Sequence, residues 1–176
     1  MASASVAKVI EVPAPKLRVQ AMPGAAASAA LSELLPAKPN TVRGSGPWTL
    51  WLGPQEWLMY SVGGAVDALA DALTTIAPPL MQGGSHVCAD VSSGLTLLEI
   101  SGSHAIEMLA TGCGLDLAGG AVRPGHCAQS HFGHISITIH RPDESNTLRL
   151  FVDRSLARYL RDSLCLAHEV RHLRSR

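Results

Sequence analysis

The string His168-Glu169-Val170-Arg171-His172 is the sharpest chemical signal in this chain. On a helix, residues four apart lie on one face, so the two imidazoles could share a zinc ion with Glu169 as general base. The context opposes that reading. Only four residues follow His172, so no third ligand is expected downstream. A terminal helical turn frays and supports a metal poorly, and Arg171, Arg174 and Arg176 would crowd positive charge around the ion. A solvated helix end is the expectation, with zinc binding as the alternative.

A second group is His126, Cys127, His131 and His134, four potential ligands in nine residues. On a straight strand side chains alternate faces, and each residue advances about 3.3 Å. His126 and His134 then share a face about 26 Å apart, and Cys127 and His131 share the other about 13 Å apart. Zinc ligands lie about 2 Å from the ion, so gathering them requires a bend at Gly125 or Gly133 and ligands from elsewhere. Asp90, beside Ser92 and Ser93, could act as a general base, but an aspartate so placed more often caps a turn. No GxxxxGK[ST], no GxGxxG between a strand and a helix, and no GxSxG is present. Gly112, Gly114, Gly119 and Gly120 follow a helix and read as connector glycines. No catalytic, cofactor-binding or metal-ligating residue is therefore assigned.

The elements that would position these groups follow from periodicity. Residues 1–45 carry Pro13, Pro15, Pro23, Pro36 and Pro39, which break long elements. This stretch is expected to be an N-terminal arm, partly disordered or ordered by a partner, with one short helix around residues 25–35. Residues 46–176 are expected to form a single α+β domain. Strands are expected at 48–52 and 57–62, about a type I turn at Gly53-Pro54-Gln55-Glu56. A helix over 65–76 presents Val66, Leu69, Ala70, Leu73 and Ile76 on one face. Strands over 86–91 and 95–101 are joined by the tight turn Ser92-Ser93-Gly94. A helix over 103–111 is capped by Ser103 and stopped by Gly112. A long strand runs over 127–140, another over 147–152. A final helix over 154–170 carries Leu156, Leu160, Leu164 and Ala167 on one stripe. The ββα order implies antiparallel sheet with helices on one face.

Bulk properties narrow the function. Fourteen basic and fourteen acidic residues cancel in this 176-residue chain, with pI near 7.1. Nucleic-acid binding normally needs a basic surface, so it is not expected. No run of eighteen apolar residues occurs, so no membrane span is expected. No secretory leader is expected either, and Cys88, Cys113, Cys127 and Cys165, with no CxxC, read as free thiols of a cytoplasmic protein.

All three tryptophans, Trp48, Trp51 and Trp57, fall within ten residues. Large amphipathic rings so concentrated mark a structural centre or a docking surface. Alternation puts Trp48, Leu50 and Leu52 on one strand face and Trp51 on the other. At least one of the three rings is thus expected outside the main core, against the arm or a partner.

The stretch WLGPQEWL, Trp51 to Leu58, resembles the WLGPDEWL signature of the gamma subunit family of heterotetrameric sarcosine oxidase. Collinear resemblances follow in DVSSG (Asp90–Gly94), ISGSHA (Ile100–Ala105), GCGLDL (Gly112–Leu117), PGHCAQ (Pro124–Gln129) and VDRSLARYL (Val152–Leu160). Together they span about residues 35–165. The departures are Gln55 for the usual acid, Ser130 for threonine, Leu156 for phenylalanine, and Leu95 where arginine is frequent. The resemblance implies a fold related to the folate-binding aminomethyltransferase domain. It implies alpha, beta and delta subunits as partners, in a complex that oxidatively demethylates sarcosine to glycine with hydrogen peroxide and formaldehyde or methylenetetrahydrofolate. FAD, FMN, NAD, tetrahydrofolate and zinc would belong to the other subunits, none to this chain. The alternatives are a stand-alone folate-binding one-carbon transferase or a zinc protein.

Overall fold

A computed structural model of the chain describes residues 7–21, 34–63, 69–71, 74, 78 and 86–174. The architecture is α+β, with two five-stranded sheets whose paired registers are antiparallel. Two compact units divide the chain: Met1–Val12 with Leu95–Pro124 and Ala128–Arg176, and Pro13–Gly94 with Gly125–Cys127.

The strands are β1 (Lys8–Glu11), β2 (Lys16–Ala21), β3 (Val42–Arg43), β4 (Trp48–Gly53) and β5 (Glu56–Tyr60). They continue as β6 (His86–Asp90), β7 (Leu95–Ser101), β8 (His126–Phe132), β9 (Ile135–Arg141) and β10 (Leu148–Asp153). Two helices are α1 (Ala105–Ala110) and α2 (Arg154–Arg174). The first sheet runs β1-β7-β10-β9-β8, the second β3-β4-β5-β2-β6.

In the first unit, α2 packs on β7, β10 and β1, and on α1. Alternate residues of the strands face it: Leu98 and Ile100 from β7, Leu148, Leu150 and Val152 from β10, Ile137 and Ile139 from β9. The helices supply Ala105, Met108 and Leu109, and Ala157, Leu160 and Leu164. Each fully buried aliphatic side chain of this kind contributes roughly 1.5–3 kcal/mol. The helix stripe differs from the expected one: Leu156 is 41% exposed and Ala157 takes the inward place. Residues 157, 160 and 164 keep the i, i+3, i+7 spacing of one face, and residue 156 lies about 70° from the centre of that face. Asp153 caps α2, its Oδ1 accepting from the Ser155 amide at 2.8 Å. At α1 the N-cap position falls on His104, whose side chain makes no capping bond, rather than on Ser103.

The expected long strand over 127–140 is two strands, β8 and β9, turned at Gly133-His134. Gly133 has φ +56, which a two-residue hairpin turn with glycine first requires. Likewise β6 and β7 do not pair with each other across Ser92-Ser93-Gly94; β6 joins β2, and β7 joins β1 and β10. The turn between β4 and β5 is not type I. Gln55 has φ +62, as the third position of a type II turn does.

The second unit has its own core on one face of its sheet: Val19, Trp57 and Met59 with Leu35 and Leu69, flanked by Leu17 and Trp51. Lys8–Glu11 and Lys16–Ala21, placed by the sequence reading within an arm, are strands, and β2 is an interior one bonded to β5 and β6. The expected helix at 25–35 falls almost wholly outside the described residues. So does most of the one at 65–76, although 69–71 and 74 are helical.

Two stability predictions follow from the first unit. A Cβ on Gly112 would meet the Phe132 ring at 2.7 Å. Gly112→Ala should cost about 1–3 kcal/mol of unfolding free energy in urea, with partial recovery in the Gly112→Ala/Phe132→Leu pair. An unchanged midpoint for Gly112→Ala would refute the contact. His140 is fully buried, and burial, with the Arg149 charge second, pulls its pKa down to about 3 against a raising effect of Asp143. Folded His140 stays neutral where the unfolded imidazole takes up a proton, so stability should fall as pH drops below about 6.5 towards 3. Between pH 7 and 4.5 the wild type should lose roughly 2 kcal/mol more than His140→Gln. Equal losses in the two proteins would show that His140 does not carry the effect.

Candidate functional site

The β4–β5 hairpin sets the tryptophans by register. Trp48 pairs with Tyr60, Leu50 with Leu58, and Trp51 with Trp57. The alternation therefore sends Trp51, Trp57 and Met59 to the face that carries the second unit's core, and Trp48, Leu50, Leu58 and Tyr60 to the other. Trp57 is buried, and its indole Nε1 donates to the Pro36 carbonyl at 2.8 Å. A buried indole needs such a partner. Trp51 is half-buried on the rim of that core. Trp48 belongs to neither core; it is half-buried and stacks on Tyr60 with ring centroids 5.2 Å apart and planes at 20°. Arg18 on β2 pairs with Glu56 across the same sheet.

Two of the residues marked for chemistry, Asp90 and Cys127, are engaged in contacts that hold the fold. Asp90 accepts from the Ser92 amide at 2.8 Å, and bonds from Ser92 hold its carboxyl below the usual range. The Ser92 hydroxyl accepts from the Lys16 amide at 2.8 Å. Asp90 is thus a turn cap whose partner serine ties β2 to the turn after β6. Lys16, which the sequence reading passed over, is buried, and its Nζ donates to the Ala14 carbonyl at 2.7 Å. Its only sequence signal is its place in the Lys-Leu-Arg-Val alternation of β2.

Cys127 is buried, with its thiol directed at the carbonyls of Trp51 (3.4 Å) and Thr41 (3.6 Å). Burial pushes that thiol up to about 11, which removes thiolate character at neutral pH. The His126 backbone bridges to Thr41, and His131 and His134 are exposed. Among the described residues, no three His, Cys, Asp or Glu side chains come together as metal ligands do. Helix α2 continues through residues 168–172, and Glu169 is exposed; the side chains of His168 and His172 lie outside the described residues. All four cysteines are free. No helix among the described residues is long and apolar enough to cross a membrane.

The surface of α2 carries the other unusual feature. Leu156, Tyr159 and Leu166 are exposed large apolar side chains on one helix, Tyr159 to 65%. Their spacing of three and then seven residues keeps them on one outward face.

The Trp57 geometry gives a prediction. Trp57→Phe removes the donor to a buried carbonyl and should cost about 1–3 kcal/mol in chemical denaturation. Trp48→Phe, which keeps an aromatic ring over Tyr60, should cost less. The reverse order would show that Trp57 does not anchor the hairpin.

The sarcosine oxidase, gamma subunit family matches residues 19–168. No curated protein sequence matches the chain. Among solved structures, a chain of the heterotetrameric sarcosine oxidase from Corynebacterium sp. U-96, in complex with pyrrole 2-carboxylate, is similar in fold, with a TM-score of 0.80. That similarity covers 96% of this chain and 86% of the other at 23% identity. Because the family match takes in most of the sequence, from the middle of β2 to the last turns of α2, this chain belongs to the sarcosine oxidase gamma subunit family.

Proposed function

We propose that the chain is the accessory gamma subunit of a heterotetrameric sarcosine oxidase, assembled with alpha, beta and delta subunits in the cytoplasm. The complex demethylates sarcosine oxidatively to glycine, with hydrogen peroxide and formaldehyde or methylenetetrahydrofolate as the other products. FAD, FMN, NAD and tetrahydrofolate reside in the partner subunits, and this chain adds no catalytic residue.

The family match over residues 19–168 carries this reading. The fates of the reactive side chains support a structural part within the complex. Asp90 is engaged in a turn, and the Cys127 thiol is buried and protonated. The exposed apolar face of α2 is the kind of surface that a partner covers.

Expression of the four subunits together, and of the set lacking this chain, tests the proposal. The chain should co-elute with its partners at one native mass, and sarcosine-dependent oxygen uptake should fall at least tenfold, or the complex dissociate, when it is omitted. A chain that stays monomeric among all its partners, with full oxidase activity in its absence, would refute the assignment.

A further inference from the structure

Where α2 begins, the first unit holds a pocket of about 190 Å³. Arg154, Arg158 and Arg161 line it from the helix, Glu11 from β1, and Thr96 with Leu98 from β7. The three arginines stand at i, i+4 and i+7, one face of the helix, and it is the periodicity of α2 that brings three guanidiniums to one opening.

The Thr96 hydroxyl is the observation that gives this cluster a direction. Thr96 is 2% exposed, and its Oγ1 has no hydrogen-bond partner. It shares a sheet face with Leu98 and Ile100, and its register partner is Val152, all members of the apolar core. A buried hydroxyl without a partner is uncommon and unfavourable. At this position valine would fill the same space without the polar atom. A ligand in the pocket accepting from Thr96 Oγ1 would complete its bonding.

The remaining lining sets the sign of that ligand. Guanidiniums only donate, and their forked N–H groups match the oxygens of carboxylates and phosphates. Glu11 opposes one of the three positive charges. Asp162, outside the lining, pairs with Arg158 at 3.7 Å and Arg161 at 3.3 Å. Those contacts are longer than a good charge-assisted bond, and the Arg158 side chain is 88% exposed and that of Arg161 44%, so the pairing leaves them available to a better acceptor. The start of a long helix adds positive potential. Its Ser155 amide is taken up by Asp153, so the side chains are the donors. Leu98 and Ala157 supply apolar wall, and the volume exceeds that of a bare oxyanion, leaving room for a short carbon substituent.

We infer that this pocket binds a small organic oxyanion, its carboxylate or phosphate group held by Arg154, Arg158 and Arg161 and by the hydroxyl of Thr96. The site lies wholly within one unit of the chain. The reading of the chain as a gamma subunit stands or falls separately, on co-elution.

Titration calorimetry on the full chain, with inorganic phosphate and, separately, acetate, tests the inference at ionic strength held constant with sodium chloride. Saturable binding of one equivalent is expected for at least one probe, and the tighter one tells a tetrahedral from a planar headgroup. Thr96→Val and Arg154→Gln/Arg158→Gln should each weaken it at least tenfold. Thr96→Val should also melt no lower than wild type in chloride, because the methyl replaces an unpartnered hydroxyl. The substituted arginines are exposed, so their variant reports on binding even if the valine variant folds poorly. No saturable binding of either probe, or binding unchanged in the arginine variant, would overturn the inference.

Discussion

The second sheet is held together by strand β2. Lys16–Ala21 bonds to β5 on one side and β6 on the other, so without it the β4–β5 hairpin and β6 would each expose a row of backbone donors and acceptors. The same strand brings Val19 beneath Trp57 and Met59, making the apolar face that Leu35 and Leu69 cover. Its start is secured by polar contacts rather than by burial alone. The Ser92 hydroxyl meets the backbone of Lys16, and the Lys16 ammonium meets the Ala14 carbonyl. A buried ammonium is costly unless it finds such acceptors. The DVSSG stretch therefore matters to the fold through Ser92 and Asp90 as a clasp on β2.

Burial and hydrogen bonding turned Cys127, Asp90 and His140 toward structure. Cys127 faces carbonyls, Asp90 closes a turn, and His140 is packed beside Arg149, which pairs in turn with Glu99 at 3.1 Å across the sheet. Burial raises the Cys127 thiol and lowers the His140 imidazole, and both shifts favour the neutral form. Charged side chains gather instead at the pocket where α2 begins, Arg154, Arg158 and Arg161 among them.

Local patterns made much of this legible. The β4–β5 hairpin, β7, β10, α1 and α2 lie within a few residues of where periodicity and Pro/Gly punctuation put them, because each has a signal confined to its own residues. The misplacements were of two kinds. The β8–β9 turn was hidden because Gly133 is a single glycine inside a run that otherwise alternates correctly, and only its positive φ reveals the reversal. Strands β1 and β2 were hidden because they are short and proline-flanked and each opens on a lysine, and only partners far away in sequence stabilise them.

The tryptophan cluster divides the two levels of information. Residue order alone determined that Trp48 and Trp51 point to opposite faces, since a strand has period two, and the WLGPQEWL string carried the family. Which ring is structural was decided by tertiary contacts. Trp57 is anchored because Pro36, twenty-one residues earlier, offers a carbonyl to its indole, while Trp48 stacks on Tyr60. The oxyanion pocket follows the same division. Spacing put Arg154, Arg158 and Arg161 on one helix face, but only packing against β7 set an unpartnered Thr96 hydroxyl among them. Side-chain direction is a property of the local backbone, whereas the partner a side chain meets depends on contacts between segments far apart in the chain.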